Sequence, residues 1–160
     1  MLKHKILSPN KLHALLNSKS SGKKVIFTNG VFDILHAGHV TYLEKAKDLG
    51  EVLVVALNSD DSTSRLKGPT RPINTLLDRA MVIAALESVD YVTWFSEDTP
   101  LKLIKKLLPQ ILVKGGDYDP KSIIGFKEVT ENGGSVKVIR FLKGRSTTAT
   151  IAKSQSKKSR

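Results

Sequence analysis

The sequence predicts an α/β fold, a Rossmann-like three-layer sandwich with a central parallel sheet of about five strands and helices on both faces. Short apolar runs alternate with segments of helical period along the chain, the pattern of a parallel sheet wrapped on both sides. One of those runs, Val52–Leu57, is continuously apolar, as a central strand covered on both faces must be. The scale agrees: 160 residues, 40% of them hydrophobic, suffice for one domain with a real core.

Ser8-Pro9 opens a first helix, serine as cap and proline at the first helical position; Leu12, Leu15 and Leu16 give it an apolar side and Gly22 ends it. Val25-Ile26-Phe27 reads as a buried strand running into Thr28-Asn29-Gly30. Residues 39–49 keep helical period through Val40, Leu43, Ala46 and Lys47, with Gly50 as a C′ stop. After Val52–Leu57, residues 59–74 are polar and turn-rich, the composition of a functional loop. Thr75 with Asp78 resembles a capping box for a helix running to about Ser88, with Met81, Val82, Ala85 and Leu86 inward. Val89–Phe95 is the next strand, and Thr99-Pro100 starts a helix ended by Pro109. Ile111-Leu112-Val113 and Val136–Ile139 are the remaining strands, and Ser146–Ala152 the last helix. The organisation expected is a basic helical segment, 1–22, packed on the domain of 23–153, and a flexible basic tail, 154–160.

Composition excludes several classes. No cysteine means no disulfide framework, thiolate nucleophile or zinc-cysteine cluster. Apolar runs fall far short of the roughly 20 residues a membrane span needs, and residues 1–24 lack the apolar core of a signal peptide. A soluble cytoplasmic protein with no membrane insertion is expected. The net charge of +11 divides unevenly: residues 1–24 and 141–160 each hold six basic residues and no acid, while 25–140 hold 14 basic against 15 acidic. A dedicated nucleic-acid surface more often runs as a stripe across the folded body, so specific nucleic-acid recognition is not expected.

In a parallel sheet ligands sit beyond the carboxyl ends of the strands, where strand order reverses. Four polar loops fall there, 28–39, 58–74, 114–120 and 140–148, which points to a small-molecule enzyme. The stretch GVFDILHAGH (30–39) sets His36 and His39 around Ala37-Gly38 at the mouth of a helix. Gly38 allows close backbone approach, and the free N–H groups of a helix start attract an anion. Two imidazoles there could donate to phosphate oxygens. Taken alone, the pair reads equally as surface or capping histidines, or as half a metal site with Asp33 the nearest further ligand. Other charged positions are equally open. Lys67 is a loop lysine; Arg79, among Ala80, Met81 and Val82, either snorkels or reaches a ligand. Ser146-Thr147-Thr148 is a helix cap or an anion site, and Lys114-Gly115-Gly116-Asp117 a strand-to-turn transition or a nucleotide or sugar-phosphate contact. Tyr42, Tyr91 and Trp94 sit at core-compatible spacing and receive no function.

Several segments together resemble the HxGH nucleotidylyltransferase superfamily: TNGVFDILHAGHVTYLEKAKDLG (28–50), LNSDDSTSRLKGPTRPIN (57–74), LLDRAMVIAALESVDYV (76–92), EDTP (97–100), LVKGGDY (112–118) and GRSTT (144–148). The combination of LKGPTRPIN and LVKGGDY is similar to the heptose-1-phosphate adenylyltransferase branch, whose members occur alone or as the C-terminal half of a bifunctional kinase–adenylyltransferase. That resemblance implies transfer of AMP from ATP to D-glycero-D-manno-heptose 1-phosphate, releasing pyrophosphate, with Mg²⁺ carried mainly by the ATP phosphates. A homodimer is also expected, and because the chain shows no recognisable sugar-kinase domain the heptose kinase step is expected on a separate protein. The alternatives are another cytidylyl- or adenylyltransferase, such as glycerol-3-phosphate cytidylyltransferase, or a basic nucleic-acid-binding module.

Residue by residue, the resemblance assigns His36, His39 and Lys67 to charge stabilisation on the phosphates. It assigns Thr28, Asn29, Gly30, Phe32, Gly38, Arg79, Lys114, Gly115 and Asp117 to the nucleotide. Ser146, Thr147 and Thr148 match a segment that holds its β- and γ-phosphates, and Asp33 an acid that organises phosphate or metal. Asp60 and Arg71 are expected at the sugar phosphate. Phe141 stands where cytidylyltransferase relatives commonly carry arginine, in keeping with the heptose branch, and Lys143 departs from the acid usual in both.

Overall fold

The computed structural model describes residues 2–19 and 22–140. The expected last helix, Ser146–Thr148, Phe141, Lys143 and the tail 154–160 lie outside the described residues. Five parallel strands form one sheet: β1 (Val25–Gly30), β2 (Val52–Asn58), β3 (Tyr91–Phe95), β4 (Ile111–Gly115) and β5 (Ser135–Ile139), in the order β3-β2-β1-β4-β5. The chain winds outward from β1 first to β2 and β3, then crosses to β4 and β5, so strand order reverses between β1 and β4. The crevice above that pair is where ligands bind in such sheets.

Among the described residues, six α-helices cover the sheet: α1 (Pro9–Lys19), α2 (Ala37–Lys47), α3 (Asp60–Lys67), α4 (Leu76–Ala84), α5 (Leu101–Leu107) and α6 (Phe126–Glu131). Alternation along the strands divides the core. Ile26, Leu53, Val55 and Leu57 pack with Leu43 of α2 and Ile83 of α4 on one face. Phe27, Val52, Val54 and Ala56 pack with Leu12 of α1, Ile104 of α5 and Val129 of α6 on the other. Every residue of β2 is buried, as its continuous apolar run requires. The segment before α1 runs beside β3, where Leu7 N–H donates to Val92 O and Val92 N–H to Lys5 O, satisfying the sheet edge.

Four local expectations need correction. The polar stretch read as loop contains α3, whose start is capped by Ser59, its hydroxyl accepting from Ser62 N–H. Asp60 and Asp61 in its first turn and Arg65 and Lys67 in its last complement the helix dipole. Helix α4 ends at Ala84, short of Ser88, and buries Arg79, Ala80, Ile83 and Ala84, while Met81 and Val82 are about half exposed (48% and 49%). Small alanines let the helix sit close on the sheet, and Arg79 turns inward to carbonyls described below. Gly50 does not take the left-handed stop; a Cβ there would lie 2.8 Å from Lys24 O, so close backbone approach is what requires glycine. Helix α6, unmarked by any cap signal, starts at Gly125, which has φ +92°.

Candidate nucleotide site at the β1–β4 crevice

The carboxyl end of β1 delivers Thr28, Asn29 and Gly30 to the crevice. The chain turns through Phe32, which has φ +48°, and α2 begins with His36 as its N-cap and Gly38 and His39 in its first turn. The His36 and His39 rings stack with centroids 3.8 Å apart, and Phe32 tilts against His39 at 5.1 Å. Burial, with the neighbouring His36 second, pushes His39 down to about 4, so the ring is neutral at physiological pH. Its Nδ1 is buried without a hydrogen-bond partner among the described residues.

A cavity of about 230 Å³ opens at this mouth. Asn29, Gly30, Phe32 and His39 line it from the β1–α2 unit, and Lys67 and Arg71 from the segment after β2. Lys114 and Gly115 complete it from the end of β4. Lys67 is exposed and has no ion pair among the described residues. Lys114 is partly buried, and that burial lowers its pKa. Tyr42, which received no function, also lines the cavity; its hydroxyl pairs with buried Thr28 Oγ1 at 2.6 Å. Its position one helical step beyond His39 on α2 was the available signal.

The acid Asp33 is buried and heavily engaged. Its carboxylate accepts from Arg71 Nε at 2.6 Å, from Ile73 N–H at 3.0 Å and from Asn74 N–H at 2.9 Å. Burial raises its pKa, but the Asn74 and Ile73 amides and Arg71 outweigh it and leave the pKa below the usual value. Asn74 Nδ2 donates back to Asp33 O. The residue therefore clasps the β1–α2 loop to the 71–74 segment.

Arg79 stands apart from the cavity lining. It is 1% exposed, and Nε donates to Asn74 O, Nη1 to Val31 O, and Nη2 to Asn58 O and Asp60 Oδ1. Asp60 spends its other oxygen on Leu76 N–H. Arg79 thus faces inward, tying α4 to the ends of β1 and β2, while the Asp60 side chain that meets it is nearly half exposed. Asp117 is exposed beside Arg140, 3.6 Å away.

Comparison with known proteins fits this geometry. A family model described as cytidylyltransferase-like matches residues 27–154. The bifunctional protein HldE of Edwardsiella ictaluri (strain 93-146) is 58% identical over 138 residues, 86% of this chain and 29% of that protein. The bifunctional protein HldE of Histophilus somni (strain 129Pt) is 54% identical over 151 residues, 94% of this chain and 32% of that protein. The chain therefore spans only 29–32% of the length of these curated relatives. Among solved structures, the lipopolysaccharide core biosynthesis protein from Thermoplasma volcanium GSS1 matches with a TM-score of 0.63 and 32% identity, over 78% of this chain and 100% of that one. Pantoate-beta-alanine ligase from Francisella tularensis matches with a TM-score of 0.63 and 20% identity, over 89% of this chain and 68% of that one, a likeness of fold.

Proposed function

The chain belongs to the cytidylyltransferase-like family, and from that premise we propose that it is an adenylyltransferase moving AMP from ATP to D-glycero-D-manno-heptose 1-phosphate, giving ADP-heptose and pyrophosphate. The observation that carries this reading is convergence. The segments that select the heptose branch by resemblance, LKGPTRPIN and LVKGGDY, meet the two-histidine loop around one cavity through Lys67, Arg71, Lys114 and Gly115. Identity of 54–58% with the HldE proteins spans those same segments. Within this reading the protein works as a cytoplasmic homodimer beside a separate heptose kinase.

The chemistry suits the residues present. The acceptor phosphate is already ionised, so the reaction needs no protein nucleophile and no strong base. One of its oxygens bonds to the α-phosphorus of ATP while the bridging P–O bond to the β-phosphate breaks, and the electron pair leaves with pyrophosphate. The protein's part is alignment and charge stabilisation. Lys67 and Lys114 supply positive charge, and Arg71 lines the same cavity with its charge paired to Asp33. His39 begins neutral and acts as a hydrogen-bond donor through Nε2, its Nδ1 being enclosed. Both Asp33 oxygens already accept hydrogen bonds within the protein, which supports reading magnesium as part of the substrate, MgATP, with Asp33 organising the loop around it.

Pyrophosphate release tests the reading, comparing ATP with CTP and heptose 1-phosphate with glycerol 3-phosphate. ATP with heptose 1-phosphate should give the highest kcat/KM; equal or better turnover of CTP overturns the assignment. Replacing His36 or His39 with alanine should lower kcat/KM by about 10²-fold or more, the usual worth of a preorganised donor to developing phosphoryl charge.

A further inference from the structure

Beneath the cavity, one buried hydroxyl joins three of the elements that carry its walls. Strands β1 and β4 pair through Ile26, Phe27 and Thr28 against Ile111, Leu112 and Val113, so Thr28 and Val113 form the last rung of that ladder. Past it each strand keeps only its outer neighbour. β1 stays with β2 as far as Gly30, and β4 stays with β5 as far as Gly115. The crevice opens at this fork, with Asn29 on one prong and Lys114 on the other, each one residue beyond the rung. Tyr42 of α2 reaches the rung itself. Its hydroxyl lies 2.6 Å from Thr28 Oγ1 and 3.4 Å from Val113 O.

We propose that Tyr42 is a positioning residue for the transfer: by tying α2 to the last rung between β1 and β4, its hydroxyl sets His39 and Lys114 at the separation the reacting phosphates require. The inference rests on the nucleotidyl-transfer reading above and adds what holds the groups of the site in register. It also gives Thr28 a part that the resemblance does not imply. The Thr28 side chain is fully buried and turned to Tyr42, so it acts through the phenol and not on the nucleotide.

Proton accounting orients the tie. The phenol has one proton and the Val113 carbonyl can only accept, so Tyr42 donates to Val113 O and the Thr28 hydroxyl donates to Tyr42. The Thr28 bond is the short one and carries most of the tie. Burial pushes the Tyr42 pKa above its ordinary value, against the smaller opposing effect of the Thr28 bond, so the phenol keeps its proton at any working pH. The lever is short at both ends. His39 precedes Tyr42 by three residues and so lies on the same face of α2, one turn nearer the helix start. Lys114 directly follows Val113. A shift of the phenol therefore moves both groups, and in an aligned displacement a misplacement of about 1 Å can cost ~10²-fold in rate. The other end of α2 has its own fastening, from Lys47 to Glu51 O and to Asp90. Loss of the phenol hydroxyl should therefore loosen the helix at the site end and leave the fold standing.

Steady-state pyrophosphate release by the whole protein tests this with four variants. Tyr42→Phe and Thr28→Val each remove one hydroxyl at nearly constant shape, Thr28→Ser keeps it, and the fourth combines Tyr42→Phe with Thr28→Val. A thermal melt checks folding, and the substrates are whichever nucleotide and acceptor the comparison above finds best. Tyr42→Phe and Thr28→Val should each lower kcat by about tenfold, with KM for the nucleotide within about twofold, because Lys67 and Lys114 still attract its phosphates. Thr28→Ser should recover most of the kcat that Thr28→Val loses. The double variant should be no slower than the slower single one, since both changes break the same chain. A parental kcat in Tyr42→Phe overturns the proposal. So does a fall in kcat matched by a rise in KM and a lower melting temperature, which is general loosening. Losses that multiply in the double variant, or a Thr28→Ser as slow as Thr28→Val, show that the two hydroxyls do not act together and overturn it as well. If Tyr42→Phe does not fold, the contrast between Thr28→Ser and Thr28→Val decides alone. Preference for CTP or glycerol 3-phosphate sinks the adenylyl reading and leaves this test in place. A parent protein that releases no pyrophosphate with any pair sinks the transferase reading and the positioning role with it.

Discussion

The two rims of the crevice are built on different physical plans. Over β1 and β2 the chain is fastened by charge. Asp33 clasps Arg71, and Arg79 reaches three backbone carbonyls and Asp60. Beyond β4 it is fastened by shape, with Gly125 against Ile104 and Leu112 and Gly116 beneath Tyr118. The contrast teaches that charge near a site does not by itself mark a substrate contact. On the charged rim most ionic capacity is spent within the protein, and Lys67 is left over. On the apolar rim the partly buried Lys114 lines the cavity at the end of β4.

The strongest way to break the comparison is to remove the charged fastening. Arg79→Met strands the carbonyls of Val31, Asn58 and Asn74 and should cost about 3 kcal/mol or more in a urea melt, since each buried acceptor left unpaired costs about 1–3 kcal/mol. Arg79→Lys should recover little, because an ammonium cannot span the same fork of acceptors. If stability holds and ATP affinity alone falls, Arg79 is a ligand contact and the rim is not clamped as described. Asp33→Asn comes next, at about 2–3 kcal/mol, because an amide cannot accept from Arg71 and both backbone N–H groups as the carboxylate does. The Mg²⁺ concentration for half-maximal turnover should stay put; unchanged stability with a raised Mg²⁺ requirement would make Asp33 a metal ligand instead.

These two residues also show what the sequence makes legible. Strands β1, β2 and β4 were readable because a parallel strand covered on both faces carries an uninterrupted apolar run; the edge strands β3 and β5 were readable from apolar residues flanking Thr93 and Lys137. Helix α3 was not, because its buried side is Ser62 and Thr63, whose hydroxyls bond to Glu97 O and Ser59 O, and period searching looks for apolar residues. The inward face of α4 was misread for the same reason: apolarity favoured Met81 and Val82, whereas a guanidinium with four acceptors is the buried group. At the site, the histidine loop and Lys114 drew attention by residue type and spacing, whereas Lys67 was singled out only through the family resemblance. Whether Asp33, Asp60 and Arg79 face a ligand or one another depends on partners as many as 48 residues away in sequence, which no local pattern encodes.

The shape-built rim should respond to volume where the charged rim responds to lost hydrogen bonds. Gly125→Ala adds a Cβ 2.8 Å from Ile104 Cδ1 at a residue with φ +92°. A cost of about 1–3 kcal/mol is expected from overpacking and backbone strain together, with ATP affinity unchanged. A neutral outcome in the melt would show that α5 yields easily and that this rim is looser than its contacts indicate.

The last effect is absent at neutral pH and sharpens the comparison by its position on the pH axis. His39 in the native protein accepts a proton only near pH 4, against about 6.5 for an unperturbed imidazole, because burial and the adjacent His36 oppose the charge. Between those values the unfolded chain binds more protons than the native one, so stability should fall as the pH drops from about 6.5 towards 4 and be fully present above 6.5. Asp33 acts in a different window. Its native pKa lies below 3.8, so its contribution is present above 3.8 and disappears as the pH falls through that lower native value. The measurement is a set of urea melts from pH 7 to 3 on the parent protein and on His39→Gln. The variant should lose the slope between pH 6.5 and 4 and keep the one below it. A parent profile that is flat between 6.5 and 4 means that His39 takes up its proton as readily in the folded protein as in the unfolded chain, and that the mouth of α2 is wetter than its packing against Phe32 and His36 implies.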